Sequence, residues 1–181
     1  MNHYSDKELL EQFNNGNADY AFNLIVRKYQ QKIYAHVRHL VVDHDDADDL
    51  TQTTFIKAWK ALGNFRADAQ LYTWLYRIAT NECYTVLKNK RKRFFIPIHD
   101  VEAELTEKLE HEPSLKANEL ELKLQKALLS LPEKQRVVFT LRYYDEMKYE
   151  DMSAVLGTSV GALKASYHHA AQKIEKFLQS F

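Results

Sequence analysis

Tyr149-Glu150-Asp151-Met152-Ser153-Ala154-Val155-Leu156-Gly157-Thr158-Ser159-Val160-Gly161-Ala162-Leu163-Lys164 is the stretch that decides the fold. A short helical run, a tight turn containing Gly157 and a longer helical run read as a helix-turn-helix. The second helix is expected over 160–178. Its apolar residues Val160, Leu163, Tyr167, Ala170, Ile174 and Phe177 recur at helical spacing and form an inner stripe. Ser159, Ala162, Lys164, Ala165, Ser166, His168, His169 and Lys173 are left facing outward. Short polar and cationic side chains on such a face suit base edges and phosphates. A plain helical hairpin is the rival reading.

Upstream, Ser130-Leu131-Pro132-Glu133 is a helix start, with Pro in the first turn. The helix after it carries Val137, Val138, Leu141 and Tyr144, and another helical pattern resumes near Ala117 with Leu120, Leu124, Ala127 and Leu128. Residues 97–117 contain Pro97 and Pro113, lack sustained periodicity and are expected to form an acidic flexible linker. The 181-residue chain balances 25 Lys and Arg against 25 Asp and Glu, which alone discourages a nucleic-acid role. The balance conceals an asymmetry: residues 100–122 carry a net of −6, and the stretches on either side +3 each.

The N-terminal part repeats the helical logic. Ser5-Asp6-Lys7-Glu8 reads as a capping box. Phe22, Ile25, Val26, Tyr29, Ile33, Val37 and Leu40 mark a long helix. The next starts near Asp45, where carboxylates suit the positive end of the helix dipole. Its inner stripe is Ala47, Leu50, Thr51, Thr54, Phe55, Ala58 and Leu62, leaving Asp49, Gln52, Thr53, Ile56 and Lys60 outside. Ile56 on that polar strip suggests a protein partner. A fourth helix, over 71–91, ends in the basic run Lys88–Arg93. Tyr72, Thr73, Tyr76, Thr80, Asn81 and Tyr84 are read as an outer strip able to stack on and hydrogen-bond unpaired bases, with the basic run on phosphates. The fold class is therefore all-α, in two small helical domains joined by an acidic linker. Their expected bounds are 1–96 and 118–181.

Other chemistries fail on residue type or spacing. Asp43–Asp49 resembles a calcium loop only in composition, since Ala47, Asp48 and Thr54 fall where that loop needs a ligand, Gly and Glu. His36 and His39 lack further ligands, and adjacent His168 and His169 point to different faces, so no metal or other cofactor is expected. The lone Cys83 excludes a disulfide framework and has no base beside it, which suits a helix-packing residue in a reducing cytoplasm. Four glycines exclude a Gly-rich nucleotide loop. No apolar run approaches membrane-spanning length, and no targeting pattern opens the sequence. No nucleophile–base set points to an enzyme.

Asp46-Ala47-Asp48-Asp49-Leu50-Thr51-Gln52-Thr53-Thr54-Phe55-Ile56-Lys57-Ala58-Trp59 resembles the core-polymerase-binding segment of bacterial sigma factors. The stretch from Phe65 to Asn81 continues that resemblance in order, Leu131–Phe139 resembles the start of the family's fourth domain, and Tyr149–Lys164 its helix-turn-helix. The chain thus resembles a compact sigma-70-family member of the extracytoplasmic function (ECF) type, which keeps only domains two and four. The resemblance implies a non-enzymatic initiation factor that binds core RNA polymerase and directs it to promoters. Asp48, Asp49, Gln52, Thr53 and Ile56 would meet the polymerase. Asn64, Phe65, Arg66, Tyr76, Arg77, Asn81, Lys88 and Arg91 would read and melt the −10 element. Ser159, Ala162, Lys164, Ser166, His168, His169 and Lys173 would meet the −35 duplex. Promoter DNA and core polymerase are the implied partners, with room for a dedicated anti-sigma factor. The sequence departs from the family at Thr53, where Glu is usual, and in a recognition helix with Ser166, His169, Ala171 and Gln172 where arginines are common. A stand-alone helix-turn-helix regulator, binding operator DNA without polymerase, is the alternative; a helical adaptor with no DNA role is a third.

Overall fold

The computed structural model describes residues 4–65, 70–94, 106–110 and 119–180. Among these residues all regular structure is helical. An N-terminal bundle contains α1 (Asp6–Asn14), α2 (Ala18–Val41), α3 (His44–Leu62) and α4 (Leu71–Phe94). A C-terminal bundle contains α5 (Glu119–Leu129), α6 (Glu133–Tyr143), α7 (Tyr149–Leu156) and α8 (Val160–Gln179).

Helix ends follow local chemistry. Ser5 and Glu8 close a reciprocal capping box, with the Ser5 N–H donating to Glu8 Oε2 at 2.6 Å and the Glu8 N–H to Ser5 Oγ at 3.3 Å. Asp43 caps α3 by accepting from the Asp46 N–H at 3.0 Å. The chain turns between α2 and α3 on Val42, whose φ of 68° is rare for a β-branched residue. The Asp43 N–H donates to the Val41 carbonyl at 2.8 Å across it, so the corner is a strained γ-turn. Burial of the Val42 side chain against Leu109 and Leu129 helps hold that conformation.

Helix α2 runs through the middle of the molecule, burying Ala21, Ile25, Ile33, Val37 and Leu40 and packing against α1, α3, α4 and α6. The buried hydroxyls of Thr51 and Thr54 are satisfied within α3, each donating to a carbonyl one turn back at 2.7 Å. Cys83 is buried in α4, and burial pushes its thiol up to about 12, in keeping with a packing residue. The C-terminal bundle has its own core of Ala127, Leu128, Leu131, Phe139, Ala170 and Ile174. Val137, Val138, Leu141, Met147, Met152, Val155 and Leu163 instead join the cluster built on α2, α3 and α4. The two bundles therefore share apolar core.

The span read as a flexible linker is in part tied down. Residues 106–110 are helical, Leu109 is buried with Val42 and Leu129, Lys108 Nζ lies 2.7 Å from Asp43 Oδ2, and Lys126 Nζ lies 2.7 Å from Glu110 Oε1. The composition hid this because one apolar side chain, seated between the bundles, suffices to fasten a charged turn. The other positions of 97–117 lie outside the described residues.

Candidate functional site

Three surfaces carry the sequence-based site residues. The first is the outer face of α3. Its inner positions Ala47, Leu50, Thr54, Phe55, Ala58 and Leu62 are buried, which turns Asp48, Asp49, Gln52 and Ile56 to solvent and leaves Thr53 half-buried. Ile56 is 54% exposed, the most exposed large aliphatic of the N-terminal bundle among the described residues. Trp59, three positions on and 39% exposed, extends the apolar patch and was missed by the stripe analysis. It is held edge-on by Phe13 at 5.6 Å and Phe22 at 5.0 Å. The signal was present: a Trp one helical turn from an exposed Ile lies on the same side.

The second surface is α4, where the structure corrects the sequence reading. Of the residues taken as one outer strip, only Asn81 is exposed, in a row with Arg77, Thr85 and Lys88 at i, i+4 spacing and its continuation, and Tyr84 is half-buried. Thr73, Tyr76 and Thr80 are buried and Tyr72 is half-buried. The reason is that α2 and the C-terminal bundle pack on this second row. Tyr76 OH donates to Asp145 Oδ1 at 3.1 Å, and Tyr72 hydrogen-bonds Asp151 in α7. Burial first, and the carboxylates second, push both phenols well above the usual tyrosine range, so they stay neutral donors. Asn64 is exposed, and half-buried Phe65 packs on Trp74 at 5.0 Å. Arg66 and the side chain of Arg91 lie outside the described residues.

The third surface is the helix-turn-helix. Gly157 ends α7 in the left-handed region at φ 63°, its N–H donating to the Ser153 carbonyl at 2.9 Å. Ser159 then caps α8 by accepting from the Ala162 N–H at 3.3 Å, so its hydroxyl is engaged in the fold. Leu163, Ala170 and Ile174 are buried, and Ala162, Lys164, Ala165, His168, His169 and Lys173 are exposed along one outer face, with Ser166 half-buried. Two of its cations are already engaged: Lys164 Nζ sits 5.7 Å from the Tyr149 ring centre, and Lys173 Nζ donates to Gln135 Oε1 at 3.0 Å. Among the described residues no group of three His, Cys, Asp or Glu is placed to hold a metal ion.

This arrangement coincides with known families. Residues 25–93 match Sigma-70 region 2, and residues 121–174 match Sigma-70 region 4. The RNA polymerase sigma-H factor of Pseudomonas aeruginosa is 38% identical over 96% of this chain and 94% of its own. The chain belongs to the sigma-70 family. Its kinship is with the ECF type, since the ECF RNA polymerase sigma-E factor of Escherichia coli K12 is 35% identical over 97% of this chain and 95% of that one. Among solved structures, the sigma-family fold is matched by CnrH in complex with the cytosolic domain of CnrY, with 27% identity, a TM-score of 0.74 and 97% of each chain covered. The sigma factor RpoE of Bartonella quintana, solved with the anti-sigma factor NepR, shares the fold at 23% identity, with a TM-score of 0.70 over 87% of this chain and 96% of that one. Among this sigma factor's described residues, no helix is long and apolar enough to cross a membrane.

Proposed function

We propose that this sigma factor divides its work among the three surfaces. As a member of its family it is a transcription initiation factor that binds core RNA polymerase and directs it to promoters. The α3 face of Asp48, Asp49, Gln52, Thr53 and Ile56, extended by Trp59, takes the polymerase. Asn64, Phe65, Arg66, Tyr76, Arg77, Asn81, Lys88 and Arg91 take the unpaired −10 strand, through stacking and phosphate contacts. Ala162, Lys164, Ser166, His168, His169 and Lys173 face the −35 duplex. Ser159 contributes its place at the helix start rather than its hydroxyl. The nucleotidyl transfer belongs to the polymerase, the factor itself has no catalytic role, and its place of work is the cytoplasm. An anti-sigma factor is a further partner, in keeping with the complex known for the Bartonella relative.

The observation that carries this reading is the apolar patch of Ile56 and Trp59, exposed on a helix face otherwise polar and opposite the side used in packing. The test is transcription in vitro with core polymerase on a genomic fragment library. Promoter-specific transcripts that need both protein and core support the reading. Tight, specific duplex binding by the protein alone, with no transcripts, favours the stand-alone regulator.

A further inference from the structure

The outer face of α8 carries little fixed charge. From Val160 to Gln172 the one permanent cation is Lys164, and Ser166, Ala171 and Gln172 add none. Lys164 is drawn back over the Tyr149 ring of α7, and the next cation, Lys173, reaches Gln135 of α6. His168 and His169 stand between these lysines on the exposed side of the helix, their ring centres 6.0 Å apart and their planes tilted by 55°. Successive helical positions diverge by about 100°, so the two imidazoles open in different directions from one turn. Among the described residues neither ring has a hydrogen bond or an ion pair.

The charges around the pair do not supply a counter-ion. On α8, Lys164 lies one turn before His168 and Lys173 one turn after His169, and both oppose a further positive charge. The helix's one carboxylate, Glu175, lies further along and accepts from Gln179 at 3.3 Å. On the packed elements, Glu119 of α5 holds Lys123, Glu121 of α5 accepts from Tyr144, Glu133 of α6 lies near Tyr84, and Asp151 of α7 meets Tyr72. Glu150 of α7 and Lys134 of α6 are exposed, Lys126 of α5 is turned to Glu110, and Arg142 of α6 lies over the Tyr149 ring. The anion that an imidazolium needs here therefore comes from a bound molecule, and a DNA phosphate provides it. An ordinary imidazole takes up its proton near pH ~6.5, and an adjacent anion favours the charged form. The proton is then held more tightly on DNA than in the free chain, so binding takes up protons and strengthens as pH falls.

We propose, resting on the assignment of α8 to the −35 duplex, that His168 and His169 are proton-dependent phosphate contacts, which make duplex binding by this sigma factor stronger as pH falls from 8 to 6. Arginines at these places would grip equally across that range. In this chain the grip follows the proton concentration instead.

The experiment uses the full-length chain and a rhodamine-labelled pool of random duplexes, read by anisotropy, because phosphate contacts are independent of sequence. Salt is varied at pH 8 and at pH 6. Wild type is expected to bind about tenfold more tightly at pH 6, the factor that matches one pKa unit between free and bound imidazole. Its log–log salt slope should steepen by about 0.9 for each phosphate met by an imidazolium. His168→Gln with His169→Gln should lose both responses, and circular dichroism at both pH values checks its fold. His168→Arg with His169→Arg should bind at pH 8 about as tightly as wild type does at pH 6, with no further gain on acidification, and it carries the test if the Gln variant folds poorly.

The other described histidines lie elsewhere. His36 is fully buried, with Nδ1 2.7 Å from Asp145 Oδ2 and Nε2 3.0 Å from Thr80 Oγ1; His39 stacks on Tyr144 at 3.8 Å; and His44 Nδ1 lies 2.7 Å from Tyr34 OH. A pH response that persists in the Gln variant belongs to those groups and overturns the proposal. Equal wild-type binding at the two pH values, no wild-type binding at pH 6 in low salt, or an Arg variant no tighter than wild type at pH 8 also overturns it. Lys164→Ala, which removes a fixed charge, then decides whether the −35 assignment fails as well: weaker binding at pH 8 keeps α8 on DNA, and undiminished binding removes it.

Discussion

Helices α3 and α4 lie side by side in one bundle and present the residues proposed as functional in opposite states. The α3 face is open: Gln52 and Ile56 need no rearrangement to meet a protein. The matching row of α4 is closed, with Tyr76 and Thr80 bonded to or packed under residues from other helices. The difference teaches what each face needs before it can meet a partner. The α3 face is ready for the protein proposed to bind there, whereas the Tyr76 and Thr80 row of α4 is covered by the chain's own helices and is reached only if they move.

The comparison breaks most completely if the shared packing goes. Leu75→Ala, at a fully buried position of α4, should cost about 2–5 kcal/mol, the range for such truncations. Urea unfolding followed by circular dichroism measures this, and a loss under 1 kcal/mol would show that α4 is less tightly packed than described. The open face should behave in the opposite manner. Gln52→Ala with Ile56→Asp is expected to weaken core polymerase binding at least ~10-fold, about 1.4 kcal/mol. Because both side chains are exposed, stability should move by no more than about 0.5 kcal/mol. Fluorescence-detected binding to core and a thermal melt give the two numbers, and undiminished affinity would remove the face from the polymerase interface.

On the closed row a smaller change is expected. Tyr76→Phe deletes one hydroxyl that donates to Asp145 and should cost roughly 1 kcal/mol, whereas Asn81→Ala on the adjacent open row should cost almost nothing. Equal melting curves for the two would erase the distinction between the rows. The smallest effect is on pH. Burial, opposed by Asp145 and Glu121 and assisted by the neighbouring His36 and Arg38, holds His39 below the usual histidine range. The unfolded chain then takes up the proton first, so folding stability should fall as pH drops from 7 towards 5. His39→Gln should flatten that slope, and an unaltered slope in the variant would place the titrating group elsewhere.

Periodicity alone revealed most of the fold. The inner stripes of α3 and α8 were legible because each helix buries one side, and Gly157 and Pro132 marked ends through backbone chemistry that is local in sequence. The outward face of α8 followed from the same geometry. The α4 strip was not legible in the same way. Two adjacent helical rows can both be polar, and only the distant Asp145 and Asp151 decide which row is covered. His36 and Asp145 are separated by more than half the sequence, and no spacing rule connects residues in different bundles. Leu109 escaped notice for a related reason: a single apolar residue amid carboxylates has no periodicity of its own.

Leu109 also sets a length. From the end of α4 to the start of α5, between Phe94 and Glu119, the chain at ~3.5 Å per residue extends at most about 90 Å. Residues 106–110 are seated between the bundles, and the chain from Glu110 to Glu119 can span at most about 30 Å at the same rise. Parting the bundles beyond that reach therefore has to unseat Leu109 and separate Lys108 from Asp43. Those contacts act as a catch on the tether, and the distance over which the two bundles can part is set by whether the catch is fastened.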